Sequence, residues 1–327
     1  MAKTELSTEE SAKLVACNQI RIALQGAVLD TYLNEKCVEL MVNSDGKVYA
    51  EFLGQSDKPC IGKIPPNLVL TVIRAVSGVH GQIVDYQHPI CEGEFPLDGS
   101  RFEGLIPPAV TAPMFSLRKK ATLIFSLDDY VKSKIMTKAQ KNAICDAVRN
   151  KANILVVGGT GSGKTTLLNA IIKEMVDQDP DERPGIIEDT GELQCAAQNY
   201  FQLRAFECAS MTALLKATLR LRPDRILVGE VRGAEALDLL DAWNTGHPGG
   251  CATIHSNSAR SGLDRLKLMI GRNSQAPREI EPLIGEAVNV VVNIVRDHSK
   301  AGRVVKEIIE VEGWDSRKTE YNIKTIC

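Results

Sequence analysis

The chain has 327 residues, with 39 Lys+Arg against 41 Asp+Glu, a formal charge of −2 and a pI near 6.3. So even a balance argues against bulk electrostatic attraction to nucleic acid and leaves only a local basic patch for that purpose. At 44% hydrophobic and 24% charged residues it has the make-up of a globular protein with room for two domains, and no apolar run approaches the ~20 residues that would span a bilayer.

The opening MAKTELSTEESAKL has no basic segment followed by an apolar stretch, so no signal peptide is expected. Residues 1–25 are expected to be helical. Ser7 and Glu10 have capping-box spacing, and Leu14, Val15, Ile20, Ile22 and Leu24 supply an apolar face. Val38, Leu40 and Val42 alternate, and the turn residues Asn43-Ser44-Asp45-Gly46 precede Val48–Phe52, which predicts a hairpin. Pro65-Pro66-Asn67 starts a helix over Leu68–Ser77 that ends near Gly78. Residues 89–125 hold several prolines and short β-like runs at 104–108 and 114–118. The segment 1–125 is therefore expected to be a small α+β domain, and the weakly patterned 126–136 a linker.

A helix is expected over Thr137–Asn150, with Thr137 as N-cap. It leads into the most informative stretch, NILVVGGTGSGKTTLLNA. An apolar run, Ile154–Val157, meets a glycine-rich loop and then a good helix start, with the spacing G-x-x-x-x-G-K-[ST] intact from Gly158 to Thr165. Glycines let successive backbone N–H groups curl inward around phosphate oxygens, and the helix adds its positive end. Gly159, Thr160, Gly161, Ser162, Gly163, Lys164, Thr165 and Thr166 are the candidate ligands of a nucleoside triphosphate. Lys164 would reach the β- and γ-phosphates and Thr165 would ligate Mg²⁺.

From there strands and helices alternate, as in a parallel α/β sheet. Strands are expected at Gly185–Asp189, Arg225–Gly229 and Gly250–His255, and helices at 211–221, 234–243 and 258–271. Val288–Val295 and Val304–Val311 are β-rich and should extend the sheet. Ligands of such sheets lie beyond the carboxyl ends of the strands, and polar residues sit at those ends: Glu188, Asp189 and Glu192, then Glu230, then His255. A nucleotide-hydrolysing site needs one carboxylate for Mg²⁺ and one for the attacking water. Glu230 best fits the water. The other three acids share the remaining tasks, or form only a charged turn. His255 and His247 are candidate γ-phosphate sensors or simple loop residues. Arg101, Arg118, Arg204, Arg220, Arg222 and Arg232 are candidates for meeting transition-state charge. The nine cysteines are scattered without Cys-x-x-Cys, and their odd number suits reduced thiols in a cytosol.

Four blocks then occur in the order found in the secretion ATPase superfamily. GGTGSGKTT resembles its Walker A. IIEDTGEL (186–193) resembles its acidic box. RPDRILVGEVRG (222–233) resembles its Walker B, and TGHPGGCATIHSNSA (245–259) its His box. Within it, FEGLIPPAVTAPMFSLRKK, CAAQNY and IEPLIGEAV make the chain most similar to TrbB-type conjugation ATPases of type IV secretion. The resemblance implies a RecA-like P-loop NTPase C-terminal domain over 137–327 and a smaller N-terminal domain. It implies a homohexamer that hydrolyses ATP with Mg²⁺ and works with inner-membrane secretion components, peripherally at the cytoplasmic face of that membrane. It assigns Lys164 and Thr165 to phosphate and metal. Glu188, Asp189 and Glu192 go to the acidic box, with Asp189 as a metal ligand, Glu230 to Walker B, and His255 and His247 to the His box. Arg101 and Arg118 become nucleotide contacts from the N-terminal domain. A pilus or type II secretion motor shares this chemistry. A RecA-like nucleic-acid translocase is the rival of another class, against which the near-neutral charge speaks, and no strong direct nucleic-acid binding is expected. A nucleotide-binding scaffold that hydrolyses little is a third, for which the strand-end acids would have no use.

Overall fold

The computed structural model describes residues 8–52, 55, 57–120, 124–206, 208–297 and 301–326. The chain divides into two compact units, Met1–Thr122 and Leu123–Cys327.

In the first unit, α1 (Thr8–Leu24) and α2 (Ala27–Leu33) precede β1 (Cys37–Val42), β2 (Lys47–Phe52), β3 (Cys60–Lys63), α3 (Pro66–Val79), β4 (Ile90–Glu94), β5 (Arg101–Leu105) and β6 (Met114–Arg118). The strands form an antiparallel sheet in the order β3-β2-β1-β6-β5-β4. The expected hairpin is present, with Val42 opposite Val48 across the Asn43–Gly46 turn. The expected face of α1 is buried only in part. Ile20 and Leu24 are buried, whereas Leu14, Val15 and Ile22 are exposed and Ala16 and Ala23 are buried in their place. Ala16, Ile20, Ala23 and Leu24 have the i, i+4, i+7, i+8 spacing of one helical stripe, which Leu14, Val15 and Ile22 do not share. Ser7 lies outside the described residues.

The second unit holds α4 (Leu127–Lys132), α5 (Lys138–Arg149), β7 (Ile154–Gly158), α6 (Lys164–Gln178), β8 (Pro184–Glu188), β9 (Phe201–Arg204), α7 (Met211–Thr218), β10 (Arg225–Val228), α8 (Glu235–Asn244), β11 (Cys251–His255), α9 (Ala259–Ile270), α10 (Glu281–Ala287), β12 (Val290–Arg296), β13 (Arg303–Asp315) and β14 (Glu320–Thr325). The segment expected as a linker instead carries α4. Ser126 and Asp129 form a capping box, and Leu127, Tyr130 and Met136 are buried in this unit's core. Its charges occupy only the exposed side, which is what made it look unpatterned. Thr137 caps α5 as expected, through a capping box with Gln140.

Among the described residues the second sheet has eight strands in the order β14-β13-β12-β7-β11-β10-β8-β9. From β12 to β9 it is parallel, and β13 and β14 add an antiparallel edge. Strand alternation divides the core. Ile154 and Val156 face the cluster built with α4, α5 and α6, while Leu155 and Val157 face the one built with α8 and α9. Both faces are covered, so β7, β8 and β10 are buried throughout.

The amino ends of the parallel strands are tied together by Arg225, which is 3% exposed. It ion-pairs with Glu182 ahead of β8 and donates to Gly249 O ahead of β11 at 3.1 Å and to Val148 O at the end of α5 at 3.2 Å. Lys151 reaches the same Glu182 at 2.9 Å.

Candidate active site

The register of the parallel strands assembles the site. His255 at the end of β11 pairs with Gly158 at the end of β7, so the glycine loop and His255 leave the sheet side by side. β10, which delivers Glu230, is the next strand over, and β8, which delivers Glu188 and Asp189, the one after that.

The loop is tight. Gly161 and Gly163 have φ of 66° and 97°, in the left-handed region. A Cβ on Gly158 would collide with Ile294 O and lie 2.5 Å from Ser162 Oγ. Ser162, 2% exposed, turns its side chain beneath the loop, and its backbone N–H donates to Gly159 O at 3.3 Å. Leu167 N–H opens the hydrogen-bond ladder of α6 by donating to Gly163 O at 2.9 Å. The first-turn N–H groups before it, those of Thr165 and Thr166 included, have no carbonyl one turn back and mark an anion-binding helix end. Gly159, Thr160 and Gly161 are open to solvent.

Beyond the loop runs a chain of linked polar side chains. Lys164, 7% exposed, donates from Nζ to Gly159 O at 3.1 Å and to His255 Nδ1 at 3.2 Å. His255 Nε2 meets Glu230 Oε1 at 2.9 Å. Glu230 Oε2 accepts from Arg232 at 2.8 Å, and Arg232 continues to Asp189. An ammonium can only donate, so His255 Nδ1 accepts and Nε2 carries the hydrogen toward the carboxylate. Electrostatics agree with that neutral tautomer. Burial, then the Lys164 ammonium, hold the imidazole below its ordinary value despite Glu230. Burial works to raise the Glu230 carboxyl, but Arg232, His255 and Lys164 outweigh it and hold it below the usual carboxylate range.

Glu188 is placed differently from the other acids. It is 1% exposed and turned inward. It accepts the N–H groups of Glu192 at 2.6 Å and Leu193 at 3.0 Å, and the Gln202 amide. Burial pushes its carboxyl up against those three donors. Its position suits fastening the acidic loop rather than meeting a ligand. Glu192 is half-buried on that loop.

His247 is not brought into this constellation. Its loop joins β11 at the amino end, beside Gly249 and Arg225, while the glycine loop leaves parallel β7 at the carboxyl end. The strand's length and direction set the two histidines at opposite ends of β11. Arg101 and Arg118 are cross-strand partners on β5 and β6 of the first unit.

Other residues were not anticipated from the sequence. Thr253, 1% exposed, donates from Oγ1 to Gly229 O at 2.7 Å and accepts Val231 N–H on its own carbonyl at 2.9 Å, bracketing Glu230 on both sides. Asn169, 2% exposed on α6, donates to Glu192 O at 3.1 Å and accepts from Gln194 N–H at 3.0 Å. Polar residues inside apolar runs, Cys-Ala-Thr-Ile and Leu-Leu-Asn-Ala, were the available signal. Arg296 and Arg303 approach the loop from the β12–β13 side. A cleft of about 530 Å³ opens beside the loop, lined by Gly159, Thr160, His255, Asn257, Arg265 and Leu268 among others.

A nucleoside triphosphate with Mg²⁺ fits these groups: the open amino end of α6 and a buried ammonium for phosphate, the Thr165 hydroxyl with Asp189 for the metal. Fold and site together define a phosphate-loop domain of the kind found in secretion ATPases. The profile of the family described as "Type II/IV secretion system protein" matches residues 101–324, and the chain belongs to that family. It is 48% identical over 297 residues to the conjugal transfer protein TrbB of Rhizobium radiobacter, spanning 91% of this chain and 88% of that protein. It is 48% identical over 283 residues to a probable TrbB of Sinorhizobium fredii, spanning 86% of each. In fold it resembles the ATPase DotB of Legionella pneumophila, with a TM-score of 0.61 at 19% identity over 93% of this chain and 81% of that one.

Proposed function

We propose that this chain is the ATP-hydrolysing motor of a type IV secretion or conjugative transfer system, working as a homohexamer at the cytoplasmic face of the inner membrane. The observation that carries the reading is the Lys164–His255–Glu230–Arg232–Asp189 chain at the mouth of the glycine loop. The similarity to conjugal transfer proteins supports the transfer role. Among the described residues no helix is long and apolar enough to cross a membrane, so attachment in this reading is through protein partners.

Bound ATP and Mg²⁺ would supply the phosphoanhydride to be cleaved and the charge screening that permits attack on it. In this reading the loop N–H groups and Lys164 hold the β- and γ-phosphates, and Thr165 with Asp189 holds the metal. Glu230, kept ionised by its cationic neighbours, orients and deprotonates the water. His255 fixes the Glu230 carboxylate through Nε2 and reports on the γ-phosphate through the Lys164 it touches. Arg232 balances Glu230 and Asp189 and would meet charge as it develops on the phosphoryl group.

The test is ATP turnover and particle mass measured together. Lys164→Ala should abolish turnover by removing phosphate binding. Glu230→Gln should keep nucleotide binding and lower kcat by at least ~10²-fold. Wild-type turnover in Glu230→Gln would overturn the assignment of the water. A monomer of undiminished specific activity would overturn the ring.

A further inference from the structure

Two arginines press on the glycine loop from the side away from His255. In the sheet β7 lies between β11, which carries His255, and β12. Arg296 and Arg303 are cross-strand partners where β12 and β13 pair. Arg296 Nε donates to Gly161 O at 3.1 Å, and its guanidinium occupies the space a Cβ on Gly161 would need. Arg303 Nη1 lies 2.5 Å from the position of a Cβ on Gly163. Both approaches require glycine. The left-handed φ values of Gly161 and Gly163 shape the loop, and their missing side chains admit the two guanidiniums to its main chain.

We propose that Arg296 and Arg303 are phosphate ligands of the nucleotide, supplied by the same subunit from the β12–β13 hairpin. The inference rests on the triphosphate reading of the loop and adds to it a second cationic wall. The backbone around Gly161 and Gly163 cradles the inner phosphates, while Lys164 reaches the outer pair. A guanidinium at this point exchanges a neutral carbonyl for a charged phosphate oxygen, which adds ion pairing to the hydrogen bond, and its planar fork serves two oxygens at once. Because the contact is with the α-phosphate, one bridge removed from the β–γ bond that breaks, it is made equally to a diphosphate and a triphosphate. It therefore supports binding and leaves the chemical step alone, whereas Glu230 and Arg232 act on hydrolysis.

The experiment is titration of fluorescent ADP and ATP analogues against the full chain and its Arg296→Ala, Arg303→Ala, Arg296→Lys and Arg303→Lys variants, with Lys164→Ala as reference, followed by steady-state turnover. Each alanine variant should weaken ADP and ATP by about the same factor, roughly tenfold, with kcat at saturating ATP within about twofold of wild type. Each lysine variant should recover part of the loss. A second measurement needs no variant. Arginine-selective modification of the wild type by phenylglyoxal, mapped by mass spectrometry, should show ADP protecting Arg296 and Arg303. Unchanged ADP and ATP affinities, a fall in kcat at unchanged KM, or equal modification with and without ADP would each overturn the proposal. If wild type binds nucleotide and Lys164→Ala does not, while the arginine variants bind like wild type, only this inference fails. If wild type itself binds neither nucleotide, the triphosphate reading fails with it.

Discussion

Glu188 offers the sharpest separation of a structural acid from a catalytic one. In Glu188→Ala three donors lose their acceptor: the N–H groups of Glu192 and Leu193 and the Gln202 amide. A buried donor left unpaired costs about 1–3 kcal/mol. Leu193 is 4% exposed and bears that loss in full, whereas Glu192 and Gln202 are half-buried or exposed and can turn to water. The sum for the variant is therefore about 2–4 kcal/mol. For a unit of this size that is a fall in Tm of about 5–15 °C. Glu188→Gln retains one acceptor oxygen and should lose about half as much. Thermal unfolding followed by circular dichroism reads the effect, with kcat measured on the folded fraction. Glu230→Gln is the control, since Glu230 stands at the mouth of the site and should lose turnover with little change in Tm. If Glu188→Gln unfolds with wild-type Tm yet loses turnover as completely as Glu230→Gln, Glu188 acts directly in the chemistry and the fastening role is wrong.

Thr253→Val removes the hydroxyl that holds Gly229 O while keeping the side chain's shape, so stability should fall by about 1–2 kcal/mol. Because that hydroxyl brackets Glu230, kcat should fall more than KM rises, and an unchanged kcat would dismiss the bracketing role. The imidazole of His255 faces Lys164, Glu230, Arg232 and Arg265, and its folded-state value lies below the ordinary one. The unfolded chain therefore takes up a proton there before the native one does. Nucleotide-free stability should decline as pH falls below about 6.5, and His255→Gln should lose that slope in urea titrations at stepped pH. Arg225→Met leaves Glu182 buried at 7% exposure with one fewer partner, and equilibrium unfolding should show a loss of about 3–5 kcal/mol that added nucleotide does not restore.

Much of this was legible in the sequence because it is local. The glycine loop, the cap at Thr137 and the Asn43–Gly46 turn each lie within a few residues, and the structure has all of them. What escaped depends on distant partners. Glu188 and Glu230 both follow a short apolar strand. They differ only because Gln202 and the returning loop close over the first, and Arg232 and His255 surround the second. His247 and His255 share one motif, and only the direction of β11 relative to β7 parts them. β9 has two half-buried residues and β14 one fully buried, too weak an alternation to announce a strand. Arg296 and Arg303 lie more than a hundred residues from the loop in sequence, and β12–β7 pairing brings them there.

The buried guanidinium of Arg225 has a mechanical consequence. It fastens the roots of β8, β10 and β11 and the end of α5 at one spot, at the end of the sheet opposite the glycine loop. The sheet is in effect a comb with a fixed spine. Its teeth cannot slide lengthwise past one another. Any rearrangement at the tips must then reach the rest of the molecule by leverage about that spine, through the loops and the helices they lead into, and strand register is preserved throughout.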